Sequence, residues 1–285
     1  MQVQIKMIFY IIIVALVAAG CKNKTRQLED KLYSRHLQEH KMLTIISTPI
    51  PGDKKELNLL ILNDGQDIAQ LRVKAITDSL YKKGLIQPLV IVGVHANDRT
   101  HEYGVSGSPD YKNNGARADK YSLFIKNELL DFVKKKTGVR KFKTVVIGGC
   151  SQGGLSAMDI AWDNADKIDK AGVFSGSFWW RDKDATAKDY SDDNNRILLS
   201  KVQKSRKRPK LKYWFYAGAK EETGDRDKDG VIDVVDDTKD LVAILKNKNL
   251  VPASDIVYKE DANGTHDYAS WSNAFAAFLL WAVGK

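Results

Sequence analysis

The sequence predicts an α/β fold with a mostly parallel central sheet and helices on both faces. Short apolar runs alternate along the chain with segments whose apolar residues recur at helical spacing. Uninterrupted apolar runs are typical of strands buried on both faces, and their alternation with helices is typical of parallel sheets. The sequence shows neither an internal repeat nor a second domain.

The elements follow in order. Strands are predicted at residues 57–62, 88–95, 144–148, 171–175, 211–217 and 256–258. Helices are predicted at residues 68–83, 118–136, 154–161, 237–248 and 268–282, with Gly84 ending the first. The irregular segment 96–117 has the length of a functional loop, and the polar segment 181–208 is predicted to be an insertion or lid.

A serine lies between the predicted strand 144–148 and the helix that follows. The residues Gly149-Cys150-Ser151-Gln152-Gly153 match G-x-S-x-G, the nucleophile elbow of an α/β-hydrolase fold. The serine of such an elbow occupies a strained turn, and the glycines let strand and helix approach each other. We therefore predict that Ser151 is a nucleophile and that Cys150 is a buried filler pointing away from the site.

A serine nucleophile needs a general base and a carboxylate that orients the base. The fold places them in the order nucleophile, acid, histidine, and His266 is the histidine that follows the last predicted strand. The acid is expected just after the strand 211–217, where Glu221, Glu222 and Asp225 are candidates. Glu221 lies nearest the strand end and is preferred.

The site also needs oxyanion donors and a binding surface. The backbone N–H groups of Gln152, after the nucleophile, and of Gln66, in the loop after the strand 57–62, are the predicted oxyanion donors. Trp179 and Trp180 are predicted to stack on sugar or aromatic acyl groups, with core packing at a strand end as the alternative.

Residues 225–236 carry a second pattern. Side-chain oxygens stand at loop positions 1, 3, 5, 9 and 12, and Gly230 stands at position 6, as in calcium loops. We predict a structural calcium ion, no cofactor for catalysis, and a solvated acidic loop as the alternative. The predicted ligands are Asp225, Asp227, Asp229, Val231, Asp233 and Asp236.

The N-terminal residues predict export. Residues 1–20 combine Lys6 with the apolar run 7–19, and the sequence Ala18-Ala19-Gly20-Cys21 resembles the lipobox of bacterial lipoproteins. This predicts lipidation of Cys21, a tether and lead-in at 21–40, a catalytic domain at 41–285, and a location in the bacterial cell envelope, periplasmic or surface-exposed. An ordinary signal peptide or an uncleaved anchor is the alternative.

Charge and cysteine content limit the possible partners. The net charge is +9, and the densest basic cluster, 204–210, is interpreted as a solvated loop, with contact to anionic lipid or polysaccharide as the alternative. No nucleic-acid partner is expected for an exported chain. Cys21 and Cys150 are the two cysteines, so no disulfide is expected within the mature domain.

Several segments together resemble the Putative esterase family of α/β-hydrolases, which includes enterochelin, feruloyl and acetyl-xylan esterases. They are residues 60–66, 148–154, 174–180, 216–221 and 264–271, of which Gly153-Gly154 and the His-x-x-x-x-Trp ending are the most specific. The resemblance implies Glu221 as acid and Gln66 as oxyanion donor. Residues 97–103 also resemble the family's Arg…Glu-Tyr loop, which points to Arg99 as a substrate contact or a residue that orders the loop.

These observations predict a serine carboxylic-ester hydrolase that works through a Ser-His-Glu triad and an acyl-enzyme. The expected substrate is a siderophore ester or an acyl- or feruloyl-decorated polysaccharide. A non-catalytic, calcium-stabilised glycan-binding lipoprotein and an acyltransferase on the same fold are the alternatives.

Overall fold

The central sheet organises the protein, which the computed structural model describes for residues 24–285. Its eight strands are β1 (Arg26–Ser34), β2 (Glu39–Ser47), β3 (Asn58–Asn63), β4 (Leu89–Val94), β5 (Val145–Cys150), β6 (Lys170–Phe174), β7 (Lys212–Gly218) and β8 (Ile256–Asp261). They lie in the order β1-β2-β4-β3-β5-β6-β7-β8. β2 is antiparallel to both neighbours, and all other pairs are parallel. Every residue of β3, β4 and β5 is buried, which explains their uninterrupted apolar sequences.

Helices cover both faces of the sheet, as predicted. They are α1 (Val73–Lys82), α2 (Arg99–Glu102), α3 (Ala118–Phe124), α4 (Leu130–Thr137), α5 (Gln152–Asp163), α6 (Asp192–Asn195), α7 (Ile197–Lys204), α8 (Asp233–Asn247) and α9 (Tyr268–Val283). One hydrophobic layer contains α1 and α9, and the other contains α3, α4, α5, α7 and α8. Within residues 24–285, no helix has the length and apolar character needed to cross a membrane.

The domain begins earlier than the predicted boundary at residue 41. β1 and β2 form a hairpin that pairs from Arg26 with Ser47 to Ser34 with Glu39, so most of the predicted tether and lead-in belongs to the sheet. β1 is an edge strand with mostly exposed residues, and it therefore lacks the apolar pattern that marks the inner strands. The predicted signal peptide and Cys21 lie outside the described residues.

Two helices, α1 and α8, begin more than one helical turn away from the predicted residue. α1 begins at Val73 and not at residue 68, because Arg72 adopts a left-handed conformation with φ 54° that an α-helix cannot include. α8 begins at Asp233, within the predicted calcium loop. The helical segment after residue 118 is continuous but contains a π-helical turn, Ile125–Leu129, between α3 and α4.

The predicted insertion, 181–208, is packed against the domain. Its helix α7 contributes Leu198, Leu199 and Val202 to the core. Arg196 is buried and forms ion pairs with Asp237 at 2.5 Å and Asp240 at 2.6 Å. Buried pairs of this kind are costly to break, so the second half of the segment is a fixed part of the fold and not a lid.

Candidate active site

Ser151 occupies a strained turn between β5 and α5. Its backbone has φ 55° and ψ −124°, a combination that a non-glycine residue rarely adopts. The glycines on either side are required by close contact: a Cβ on Gly149 would lie 2.4 Å from the carbonyl oxygen of Gly153. The sequence therefore folds locally as the predicted elbow, with Ser151 at the N-terminus of α5.

Glu221 and His266 form a hydrogen-bonded pair. Glu221 lies in the loop after β7, and its side chain is 1% exposed. Its Oε2 lies 2.8 Å from Nδ1 of His266, while its Oε1 accepts hydrogen bonds from the Gly218 N–H at 2.6 Å and the Ser175 hydroxyl at 2.5 Å. Of the three candidate acids, Glu222 instead accepts from the N–H of Val234 at 2.8 Å.

Ser175 and Trp271 support this pair, and no role was predicted for either of them. The indole N–H of Trp271 donates to the Ser175 hydroxyl at 2.8 Å, and that hydroxyl donates to Glu221. The Trp271 ring also meets the His266 ring edge-on, with centroids 5.0 Å apart. The sequence features that contain these two residues are the Ser175-Gly176 segment after β6 and the His-x-x-x-x-Trp spacing. Both contributed to the family resemblance, but neither was assigned a function.

Ser151 and His266 line one cavity of about 290 Å³ at the carboxyl ends of the strands. The cavity is walled by apolar and aromatic side chains from the layer that contains α1 and α9: Leu62, Leu71, Phe174, Tyr268, Trp271 and Phe275. Among the described residues, the Ser151 hydroxyl hydrogen bonds one side chain, Ser177, at 3.3 Å between the Oγ atoms. A serine and a histidine that act together must lie within hydrogen-bond distance when substrate is bound, and such contacts are often longer without substrate.

The predicted oxyanion donors lie on two turns at the cavity. Gln152 is the first residue of α5, and Gln66 lies in the short helical turn Gly65–Asp67, so neither N–H has a partner within its own helix. Asp64, which precedes this turn, and Asp67, its last residue, line the cavity. A Cβ on Gly65 would lie 2.4 Å from the Gly93 carbonyl carbon, so glycine is needed for this turn to pack on β4.

Arg99 lines the cavity, but its guanidinium is engaged by protein groups. It donates to Asp64 at 2.9 Å and 3.1 Å and to the side chain of Gln152 at 2.7 Å. It thereby joins the loop after β3 to the start of α5, the two segments that carry the predicted oxyanion donors. Tyr103, which lies with Arg99 in the segment after β4, accepts a hydrogen bond from the Asp64 N–H at 2.8 Å. This contact favours loop ordering as the role of residues 97–103.

The prediction that Trp180 contacts substrate is wrong. Its side chain is fully buried and packs against Gly104 and Gly115, where an added Cβ would lie 3.0 Å and 2.9 Å from the indole ring. Trp179 is half-buried against the same core and is not among the residues that line the catalytic cavity. The two glycines on the loop after β4 create the space that the larger indole fills, and no local pattern around residue 180 reveals them.

Cys150 also differs from its prediction in one respect. It is a buried free thiol, as expected, but it lines the cavity that contains Ser151 and His266 instead of pointing away from it. Burial raises the pKa of its thiol well above the usual value, so the nucleophilic thiolate is disfavoured there.

In the acidic loop, three of the predicted calcium ligands lie close together. Carboxylate oxygens of Asp225, Asp227 and Asp229 lie within 4.8 Å of one another, and Gly230 has the left-handed φ of 92° that the sharp turn needs. Burial and the neighbouring carboxylates raise the pKa of Asp236 to about 6. Asp233 is not gathered, because its carboxylate binds the N–H and guanidinium of Arg226 at 2.8 Å and 3.0 Å. The clustered carboxylate oxygens of Asp225, Asp227 and Asp229 are ligands of the type that a hard cation prefers.

The sheet order and the position of the serine turn at the carboxyl end of β5 define the class of protein, an α/β-hydrolase fold. Within that class, the model of the Putative esterase family matches residues 36–282, so the chain belongs to this family. No curated protein sequence matches the chain.

Solved structures of similar fold include esterases of low sequence identity. The enterobactin esterase of Shigella flexneri is 21% identical with a TM-score of 0.70, and the match covers 92% of this chain and 61% of that one. A ferulic acid esterase is 17% identical with a TM-score of 0.67, covering 92% and 98%. The siderophore hydrolase of Aspergillus nidulans is 14% identical with a TM-score of 0.65, covering 88% and 93%. The chain thus spans about three fifths of the enterobactin esterase.

Proposed function

We propose that the protein is a serine carboxylic-ester hydrolase with Ser151 as nucleophile, His266 as general base and Glu221 as the acid that orients it. The observation that carries the proposal is the 2.8 Å contact between Glu221 and Nδ1 of His266, beside the cavity that also holds Ser151. With Nδ1 held by the carboxylate, Nε2 of His266 is free to accept a proton from the serine hydroxyl.

The reaction then proceeds in two halves. The Ser151 Oγ attacks the ester carbonyl carbon as its proton passes to His266, and the oxyanion is held by the N–H groups of Gln152 and Gln66. His266 returns the proton to the departing alcohol, which leaves an acyl group on Ser151. Water, deprotonated by His266, attacks that acyl-enzyme and releases the acid.

The cavity favours an acyl group that carries an aromatic ring. Its walls are rich in aromatic side chains, including Phe174, Tyr268, Trp271 and Phe275, and ring-on-ring contacts stabilise a bound aromatic group. We therefore propose a siderophore ester or a feruloyl-decorated polysaccharide as substrate, a choice that the names of the structural neighbours also support. An acyltransferase would use the same acyl-enzyme with a different acceptor.

A panel of acetyl, feruloyl and catechol-bearing siderophore esters tests the proposal. We expect hydrolysis to be fastest with aromatic acyl groups and a fluorophosphonate probe to label the peptide containing Ser151. The absence of both labelling and hydrolysis would favour the non-catalytic, glycan-binding alternative. Added alcohols that divert product from acid to ester would identify an acyltransferase.

We also propose that Cys21 is lipidated and holds the protein in the bacterial cell envelope. The support is the small-residue sequence before Cys21 and the apolar run 7–19. Cys21→Ala is expected to abolish incorporation of labelled palmitate in cells that express the full chain. Palmitate labelling retained in that variant would contradict the assignment.

The acidic loop is proposed to hold a structural calcium ion through Asp225, Asp227, Asp229 and Asp236. Its position supports a structural role, since Arg226 within the loop forms ion pairs with Asp192 at 3.2 Å and with Asp237 at 2.6 Å. The loop therefore connects the insertion to α8, and it begins four residues after Glu221. A cation there would stabilise the segment that carries the acid.

Calcium is accordingly expected to raise the melting temperature. At a concentration 100 times the dissociation constant, binding to the folded state alone adds about 2.7 kcal/mol, which corresponds to a shift of roughly 5–10 °C. Differential scanning calorimetry with calcium and with a chelator measures it. Asp227→Asn/Asp229→Asn should lose the shift, whereas Asp131→Asn/Asp166→Asn, two exposed carboxylates elsewhere, should keep it. Identical melting temperatures with and without chelator would contradict the calcium site.

A further inference from the structure

The chain enters the sheet at the edge opposite to the catalytic serine. Strand pairing aligns Arg26 with Ser47, Ser47 with Val90, Val90 with Leu59, and Leu59 with Val145. Arg26 therefore lies at the edge where the parallel strands begin, whereas Ser151 follows the end of β5. We call the edge that contains Arg26 and the loops leading into β3–β8 the basal edge.

The basal edge is rich in exposed cations. Each loop that leads into a parallel strand bears at least one exposed lysine or arginine. These residues are Lys54 and Lys55 before β3, Lys82 and Lys83 before β4, Arg140, Lys141 and Lys143 before β5, Lys167 before β6, Arg206, Lys207, Arg208 and Lys210 before β7 with Lys212 as its first residue, and Lys246 and Lys248 before β8.

Carboxylates neutralise only part of this charge. Glu56 pairs with Lys143, and Asp255 pairs with Lys212 at 3.0 Å. Within the described part of the chain, no carboxylate oxygen lies within ion-pair distance of Lys54, Arg140 or Lys210, and the same holds for Lys55, Lys141 and Arg208. The opposite edge carries the acidic loop with Asp225, Asp227 and Asp229.

Two depressions concentrate the cations. One, of about 690 Å³, is lined by Lys170, Arg208, Lys210 and Lys212 and by the two carboxylates Asp169 and Asp255. The other, of about 670 Å³, is lined by Lys54, Lys55, Arg140 and Lys141, and Lys143 lines both. Depressions in which cationic side chains outnumber carboxylates attract phosphate groups.

We propose that the basal edge docks on an anionic lipid bilayer, with the catalytic cavity facing away from the membrane. Basic clusters are attracted to anionic headgroups within about one Debye length, roughly 8 Å. A soluble polyanion would satisfy the same charges, but the chain itself favours the bilayer. The apolar run 7–19 and Cys21 precede Arg26, and the five residues after Cys21 span at most about 18 Å. The segment predicted to reach the membrane thus precedes a strand that begins at the basal edge.

Lysine footprinting on vesicles tests this orientation. The full chain is reconstituted in phosphatidylcholine vesicles with and without phosphatidylglycerol, acetylated briefly, and analysed by mass spectrometry. We expect several-fold lower labelling of Lys54, Lys141 and Lys210 on the anionic vesicles. Lys220 and Lys228, which follow β7 on the catalytic side, should label equally on both. Salt at about 1 M, where the Debye length is near 3 Å, should remove the protection.

Charge-reversal variants separate a docking surface from net charge. Lys141→Glu/Lys210→Glu should lose the protection of Lys54, whereas Lys112→Glu/Lys188→Glu, which changes net charge equally on catalytic-side loops, should retain it. Equal labelling on both vesicles, protection of Lys220 and Lys228, or equal loss in both variants would overturn the proposal. Equal protection of the basal lysines by soluble dextran sulfate would replace the bilayer with a polyanion and would also overturn it.

Discussion

Ser151→Ala is expected to lower kcat for p-nitrophenyl acetate by a factor on the order of 10⁶, the loss that removal of a catalytic serine produces in a serine protease. The acyl-enzyme cannot form without the Oγ, and only the oxyanion donors and substrate binding remain. The backbone bonds of the turn do not involve the side chain: the Ser151 N–H donates to Phe174 at 2.9 Å, and its carbonyl accepts from Gly154 and Leu155 at 3.0 Å.

The fold should therefore survive this substitution. The side chain of Ser151 contributes one hydrogen bond, to Ser177 at 3.3 Å, so the melting temperature should change little. Ser79→Ala, at an exposed position on α1, is the matched control and should retain full activity. Calorimetry and steady-state kinetics on both variants decide the matter. If the activity of Ser151→Ala were within tenfold of that of the unsubstituted protein, another residue would have to be the nucleophile.

The elbow was predictable because all of its determinants are local. Gly149, Ser151 and Gly153 lie within five residues, and the strand and helix that they join each have a clear apolar pattern. The order of nucleophile, acid and histidine along the chain then restricts the partners to a few positions, which is why Glu221 and His266 could be selected. The structure brings these two residues into contact.

The supporting contacts were not predictable from one sequence. Ser175 meets Glu221 and Trp271 across separations of 46 and 96 residues, and nothing near residue 175 indicates either partner. The prediction that Trp180 contacts substrate was wrong because the glycines against which its ring packs lie on a different loop. The strand β1 was not predicted because an exposed edge strand needs no apolar alternation. In each case, the observed structure depends on contacts with residues far away in the sequence and not on a local pattern.

Glu221→Gln is expected to lower kcat by a factor on the order of 10⁴, as loss of the triad carboxylate does in serine proteases. The carboxylate accepts from His266, Ser175 and the Gly218 N–H at once. An amide has one acceptor oxygen, so it cannot satisfy all three donors, and its NH₂ group would favour the His266 tautomer with the proton on Nε2. That tautomer cannot accept the serine proton. Because substrate does not contact Glu221 in this mechanism, KM should change much less than kcat.

The neighbouring carboxylate supplies the control. Glu222→Gln makes the same chemical change one residue away, where the side chain accepts from the Val234 N–H near the start of α8 at 2.8 Å. It should cost about 1 kcal/mol of stability or less and leave kcat within a few-fold, because an amide oxygen can still accept that bond. Ser175→Ala, which removes one donor to Glu221, should give an intermediate loss of kcat. A larger loss of kcat in Glu222→Gln than in Glu221→Gln would transfer the acid's role to Glu222, and the pair of variants therefore decides between the two carboxylates.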